Sequence, residues 1–304
     1  MIPILWSTPW FNVYSYGLCM ALGYALGTWW ILREVQREGL ATEPVFDMLL
    51  VMMVLGVLGA RLTFFVEMLP VLPRLPPLLA FEAGGLTFYG ALVLSALWCV
   101  VYLRWRRLPV WTVMDAVGQG WMLGGVLARL GCFLNGCCYG VPTTLPVGIC
   151  FPHAPVPPGL PPARHPTQLY EAALYVALFA VLRRCKPGQR YRGQLFWLAV
   201  GGYALLRFPL EFLRAENAPW LLGLTFSQWL SLGLLGLALG AARLLERPEL
   251  VILPATGLAA TVAAGVPAAG VPAAGVPAAG VPAAGVPAAG VPAADPTPGA
   301  APRG

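Results

Sequence analysis

The chain has 304 residues, of which 58% are apolar and only 11% charged. Soluble domains carry about 25% charged residues, so this composition excludes a disordered protein, argues against an ordinary soluble enzyme and fits a polytopic membrane protein. The net charge of +6 comes from arginines scattered in short groups, with Lys186 the single lysine, and the seven cysteines lie in apolar sequence; neither pattern suits a nucleic-acid binder or a secreted disulfide scaffold.

In chain order, seven apolar segments are about long enough to cross a bilayer as helices, near 12–32, 46–68, 85–103, 111–131, 166–182, 193–213 and 225–245. The expected fold class is all-α, a polytopic membrane protein of seven transmembrane helices. The first twelve residues lack a basic cluster and a small-residue cleavage pattern, so the first span is expected to remain in the protein. Placing the N-terminus outside and the C-terminus in the cytoplasm puts Arg33, Arg37, Arg104, Arg106, Arg107, Arg183, Arg184, Lys186, Arg190, Arg192, Arg243, Arg247 and Arg303 inside. It leaves Arg74, Arg164 and Arg214 outside. That asymmetry follows the positive-inside rule.

Two stretches are not spans. Residues 140–165 are rich in proline and are expected to form an outer loop. Residues 251–304 hold six copies of Ala-Ala-Gly-Val-Pro from Ala263 to Pro292. A proline every fifth residue removes helix donors, and lipid cannot satisfy the backbone groups left over. The chain is therefore expected to divide into a seven-helix catalytic domain, 1–250, and a flexible, low-complexity cytoplasmic tail, 251–304.

Three arginines fall within spans, each at a cost of about 2.5–3.5 kcal/mol on insertion scales. Arg61, Arg129 and Arg207 come late in spans two, four and six. Tyr16, Tyr89, His165, Gln168 and Glu171 come early in spans one, three and five. Because alternate spans run in opposite directions, these polar groups share one depth, toward the outer face. Two explanations compete. Internal ion pairing would join Arg207 to Glu211 at i, i+4, and Arg61 or Arg129 to Glu171 or Asp115. Alternatively, the planar guanidinium suits a phosphate, and lipid headgroups are the phosphates nearest that depth.

Span four ends in Arg129-Leu-Gly-Cys-Phe-Leu-Asn-Gly-Cys-Cys-Tyr-Gly140, whose glycines permit tight turns beside a ligand and whose Asn135 both donates and accepts. The spacing leaves room for a disulfide from Cys137 or Cys138 to Cys150, while the absence of a C-x-x-C pair disfavours zinc. Span five opens with Arg164-His-Pro-Thr-Gln-Leu-Tyr-Glu171. Pro166 suits a first helical turn, and Gln168 and Glu171 share a face at i, i+3.

These segments resemble the signature motifs of the prolipoprotein diacylglyceryl transferase family. Tyr16-Gly-Leu18, Phe88-Tyr-Gly90 and Arg207-Phe-Pro-Leu-Glu-Phe-Leu-Arg214 agree in order with the same family, so the resemblance spans roughly residues 10–245. It implies transfer of the diacylglyceryl group of phosphatidylglycerol to the lipobox cysteine of a prolipoprotein. A thioether forms and glycerol 1-phosphate leaves. No metal or cofactor is implied. The implied setting is the outer face of a bacterial inner membrane, and the implied partners are phosphatidylglycerol and prolipoprotein signal peptides. Arg129, Arg207, Tyr89 and Glu211 are the expected catalytic positions; Tyr16, Arg61, Asn135, Gly140, Gln168 and Glu171 are expected to bind substrate.

The chain departs from the family pattern at three positions. Tyr89 stands where the pattern has a histidine, Cys132 where it has an asparagine and Cys137 where it has a glutamate. A tyrosine, with a pKa of about 10, is a weaker base than histidine at neutral pH. Two other functions compete with the transferase: a non-catalytic membrane protein that binds or moves anionic phospholipid through the same cavity, and a redox protein using Cys132, Cys137 and Cys138.

Overall fold

The computed structural model describes residues 1–8, 12–68, 88–152, 154–156, 158–215 and 219–246, without the side chains of 67, 68, 88 and 89. The low-complexity tail lies outside the described residues. The described residues form seven α-helices: α1 (Ser15–Arg37), α2 (Glu43–Met68), α3 (Phe88–Trp105), α4 (Val110–Asn135), α5 (Thr167–Cys185), α6 (Gln194–Glu211) and α7 (Phe226–Leu245). Each overlaps one of the seven apolar segments, with α1 starting at Ser15 because residues 12–14 form a strand. Three of them, along Glu43–Val66, Val110–Asn135 and Phe226–Leu245, are long and apolar enough to cross a membrane, and Gly90–Trp105 is a shorter apolar helix. The remaining helices are less apolar: α1 is diluted by small and aromatic residues and ends in Arg33, Glu34 and Arg37, α5 carries Glu171, Arg183 and Arg184, and α6 carries Arg207 and Glu211.

Two small antiparallel ladders accompany the helices. β1 (Ile4–Ser7) pairs with β2 (Asn12–Tyr14), directly before α1. β3 (Ile149–Cys150) pairs with β4 (Ala163–Arg164), so the proline-rich stretch folds back on itself ahead of α5. Arg164 is buried there, with its guanidinium 5.1 Å from the Tyr139 ring centre.

Helix α4 is the hub, packing against α1, α5 and α6, while α2 pairs with α3 and α6 with α7. The α1–α4 contact is close because both faces are bare. A Cβ on Gly23 would lie 2.7 Å from the Gly124 carbonyl oxygen, and one on Gly27 would lie 2.9 Å from that of Gly120. Small residues at such spacing let helix backbones approach where no hydrophobic effect drives association. The distribution of polarity is inverted relative to a soluble protein. Glu34, Arg61, Gln119, Gln168 and Glu171 are among the most deeply buried large side chains, while Leu50, Val54, Leu58, Leu62 and Val66 of α2 face outward. An apolar exterior around polar interior groups is the arrangement a hydrocarbon solvent selects.

The polar interior gathers at two ends of the bundle. At one end Glu34 accepts from Arg37 at 2.6 Å, from Arg183 at 3.1 Å and from Lys186, and Arg192 pairs with Glu38 at 2.5 Å. At this same end Asp115 of α4 accepts from the backbone N–H groups of Gly193 at 2.7 Å and Phe196 at 2.9 Å. Asp115 therefore caps the start of α6 and is not an arginine partner; the N-terminal N–H groups of α6 have no intrahelical acceptors and attract a carboxylate. At the opposite end lie the start of α1, the end of α4, the start of α5, the end of α6 and the start of α7.

Candidate active site

At that second end Arg129, Glu171, Glu211 and Arg207 are joined through Arg214 into one chain. Arg129 Nη2 of α4 lies 2.7 Å from Glu171 Oε1 of α5. The other oxygen, Glu171 Oε2, is 3.9 Å from Arg214 Nη1. Arg214 Nε is 3.9 Å from Glu211 Oε2, and Glu211 Oε2 is 2.5 Å from Arg207 Nη1. The charges alternate along the line, with arginine at both ends. Three guanidiniums face two carboxylates, so the cluster holds one net positive charge. Tyr203 donates to Glu171 Oε1 at 3.1 Å, and Thr225 donates to Glu211 Oε1 at 3.0 Å. Three helices and the segment between α6 and α7 thus meet at two carboxylates.

The members differ in access. The Glu171 and Glu211 side chains are 2% and 0% exposed, Arg214 9%, Arg207 10% and Arg129 21%. Arg129 is therefore the end of the chain most open to an arriving anion. Arg207 and Glu211 sit at i, i+4 on one helix face, so the inner pair is built within α6.

Gly140 explains how Arg214 reaches the cluster. Its N–H donates to His165 O at 2.8 Å, the next N–H, of Val141, donates to Leu213 O at 2.8 Å, and Gly140 bridges Arg214 in antiparallel fashion. A Cβ at 140 would lie 2.4 Å from Leu213 O and 2.7 Å from His165 Cβ. Only glycine lets the segment after α4 lie against the segment after α6.

The start of α5 holds the same loop. Gln168 Nε2 donates to Cys137 O at 2.6 Å and Thr167 Oγ1 donates to Cys138 O at 2.7 Å. Gln168 Oε1 is buried without a hydrogen-bond partner among the described residues. Pro166 is the residue before the helix rather than in its first turn, and His165 Nδ1 lies 3.2 Å from the Tyr170 hydroxyl. Asn135 ends α4, where Gly136 takes a left-handed φ of 76° and turns the chain. Tyr16 is 38% exposed at the start of α1, its backbone against Gly131. Arg61 is placed elsewhere, on the α2–α3 pair, buried over the rings of Phe64 and Phe65. Tyr89 is the second residue of α3, and its side chain lies outside the described residues.

The cysteines are thiols, with no disulfide between them. Cys150 is exposed in β3. Cys132, Cys137 and Cys138 instead converge, their sulfurs all within 4.8 Å of one another.

The profile of the prolipoprotein diacylglyceryl transferase family matches residues 3–243, nearly the whole of the described chain. The chain belongs to this family. It is 30% identical over 233 residues to the phosphatidylglycerol–prolipoprotein diacylglyceryl transferase of Clostridium tetani (strain Massachusetts / E88), covering 76% of this chain and 93% of that protein. It is 34% identical over 245 residues to the enzyme of that name from Bordetella parapertussis (strain 12822 / ATCC BAA-587 / NCTC 13253), covering 78% and 92%. It is 35% identical over 236 residues to the one from Allorhizobium ampelinum (strain ATCC BAA-846 / DSM 112012 / S4), covering 72% and 79%.

In this prolipoprotein diacylglyceryl transferase family member the cluster includes residues that sequence reasoning did not select. Arg214 was visible three residues after Glu211, but its place among the outer-loop arginines concealed that it is 9% exposed. Tyr203 and Thr225 gave no local signal, because each meets its carboxylate across a helix interface.

Proposed function

We propose that the chain transfers the diacylglyceryl group of phosphatidylglycerol to the lipobox cysteine thiol of a prolipoprotein, forming a thioether and releasing glycerol 1-phosphate. The observation that carries this reading is the Arg129–Glu171–Arg214–Glu211–Arg207 chain, with its single net positive charge and its accessible end at Arg129. A phosphodiester carries one negative charge and matches that excess.

The chemistry follows from where charge moves. The substrate sulfur forms a bond to the glyceryl carbon as the carbon–oxygen bond to phosphate breaks, and the bonding pair leaves with the phosphate oxygen. The phosphate gains negative charge in this step, so arginines beside it bind the transition state more strongly than the bound lipid. Arg129 grips the phosphate through its guanidinium fork. Arg207 and Arg214, fixed by Glu211 and Glu171, supply field without needing to reorganise. The same positive field favours the thiolate form of the incoming cysteine. Gln168 Oε1 is an acceptor for a headgroup hydroxyl. Tyr16, Asn135 and Gly140 shape the mouth of the site, and Tyr89 supplies a hydroxyl where a proton must be handled.

In this reading all seven helices cross a bacterial inner membrane, N-terminus out, and the site faces the outer leaflet. The end of the bundle opposite the cluster holds Arg183, Lys186 and Arg192, which supports a cytoplasmic assignment for that end. Residues 1–250 are the catalytic domain and the tail is cytoplasmic. The test is transfer from radiolabelled phosphatidylglycerol to a lipobox peptide by the purified protein. A labelled thioether product is expected with a cysteine peptide and none with a serine peptide. Lipid binding without product would point instead to a non-catalytic phospholipid carrier.

A further inference from the structure

The three thiols at the end of α4 form a built arrangement. Cys132 lies in the last helical turn and is 7% exposed. Gly136 turns the chain back, and Cys137 N–H donates to Cys132 O at 3.2 Å. This brings the Cys137 sulfur within 3.7 Å of that same carbonyl oxygen. Cys138 adopts a left-handed φ of 63°, a conformation that costs energy for any residue with a side chain. The carbonyls of both loop cysteines are held by Gln168 and Thr167 of α5, so the loop is pinned from a second element. The strain and the pinning together place three sulfurs within 4.8 Å of one another.

Sulfurs around a tetrahedral zinc ion stand about 3.8 Å apart, given Zn–S distances of about 2.3 Å. Bringing the three thiols to that spacing therefore takes a contraction of about 1 Å at most. Among the described residues no fourth histidine, cysteine, aspartate or glutamate completes the group. Three protein ligands with one position left over is the pattern of a reactive zinc site rather than a closed structural one. Arg129 lies one helical turn before Cys132, so positive charge stands beside the sulfurs.

We propose that Cys132, Cys137 and Cys138 form a trithiolate site for a tetrahedral, thiophilic cation of the zinc class, and that the fourth position takes the thiol of the acceptor cysteine. The second half rests on the transferase reading above. On coordination the acceptor S–H gives up its proton to water, with the Tyr89 hydroxyl of the transferase reading as the relay. The metal-held sulfur then forms its bond to the glyceryl carbon as the carbon–oxygen bond breaks toward phosphate. No oxidant or reductant is involved, and the three protein sulfurs remain thiolates throughout. The site lies directly beside the arginine chain, so the nucleophile and the leaving phosphate are held by adjacent parts of one loop.

The test uses the full-length protein, purified in detergent under reducing conditions, stripped of metal and titrated with Cd2+ and with Co2+. One equivalent per chain is expected, with the ultraviolet thiolate-to-metal charge-transfer band. Cys132→Ser is expected to weaken binding by roughly 100-fold or more, the loss of a direct ligand exceeding that of an outer-shell partner, while Cys150→Ser, on the exposed strand, leaves it unchanged. A lipobox cysteine peptide is expected to shift the visible Co2+ spectrum, and a serine peptide to leave it alone. No uptake by folded wild-type protein, or equal uptake by a triple Cys132→Ala, Cys137→Ala, Cys138→Ala variant, overturns the site. So does a disulfide among the three that persists under reducing conditions. A Co2+ spectrum indifferent to the cysteine peptide overturns the fourth-ligand assignment. Full transfer by metal-stripped enzyme removes the metal from the reaction and leaves the transferase reading standing. Metal bound to the three thiols with no transfer activity refutes the transferase reading and leaves the site standing.

Discussion

Arg129 and Glu171 meet at 2.7 Å across the α4–α5 interface, one of them 21% exposed and the other 2%. The carboxylate is shared: Tyr203 donates to the same oxygen, and Arg214 approaches the other. Glu171 therefore fixes the direction of Arg129 while leaving the outer side of its guanidinium open to a ligand. The internal ion pair is present, and the proposed phosphate site would use the other side of the same arginine, so the two readings that compete when only the sequence is considered are compatible.

Glu211 is fully buried between Arg207 and Arg214. Glu211→Gln leaves both guanidiniums under-compensated, and breaking a buried pair in this way costs about 3–5 kcal/mol. A clear fall in the thermal midpoint in detergent is expected. Substituting Arg207→Gln in the same chain should recover part of that stability while leaving transfer impaired. Equal stability of wild type and the single variant would refute the alternating chain.

Gly140→Ala is expected to abolish most transfer at normal membrane levels. The added methyl meets Leu213 O at 2.4 Å, which is backbone and cannot step aside, so the Arg214 segment must move away from the cluster. Activity within a few-fold of wild type would show that the Gly140–Arg214 contact does not position the charge.

The helices were legible because apolar runs of helical length are hard to mistake, and the pairing of Arg207 with Glu211 followed from their spacing alone. Contacts between distant segments were not. Asp115 looked like an arginine partner, yet it caps α6 from a helix that begins more than eighty residues earlier. Arg214 was read only as an outer-side arginine at the end of a motif, and the Gly140 bridge draws it inward. Cys132, Cys137 and Cys138 were grouped from the sequence only as a redox alternative, and zinc was disfavoured because a C-x-x-C test asks for ligands on one local turn. Here the end of a helix and the loop beyond it supply them instead. The β3–β4 ladder hid within a proline-rich stretch that reads as an irregular arm.

Tyr89 opens α3 at the position where the family pattern has a histidine. If its hydroxyl handles the thiol proton or the headgroup, Tyr89→Phe lowers turnover and leaves phosphatidylglycerol affinity nearly intact. A steady-state comparison of this variant with wild type in a lipid concentration series separates the effects. Phenylalanine with wild-type turnover assigns the proton to another group, with Glu171 the next candidate.

Orientation is tested with reporter fusions. A fusion after residue 245 is expected to read cytoplasmic, and insertions within 145–152 are expected to read external. Removing the repeat tail near residue 252 should leave transfer within a few-fold, because the repeats carry no polar side chain. A periplasmic C-terminus would place the arginine chain on the wrong side for its substrates.

The central claim is that Arg129 holds the phosphate of the lipid through a two-pronged guanidinium contact. Arg129→Lys keeps the charge and the pairing to Glu171 but loses the fork. The decisive measurement is radiolabelled phosphatidylglycerol transfer by this variant and by wild type at matched protein levels. A charge-assisted contact in a low-dielectric site is worth about 2–4 kcal/mol, so the rate should fall on the order of 100-fold or more. A lysine variant that transfers at the wild-type rate would contradict the phosphate-clamp mechanism.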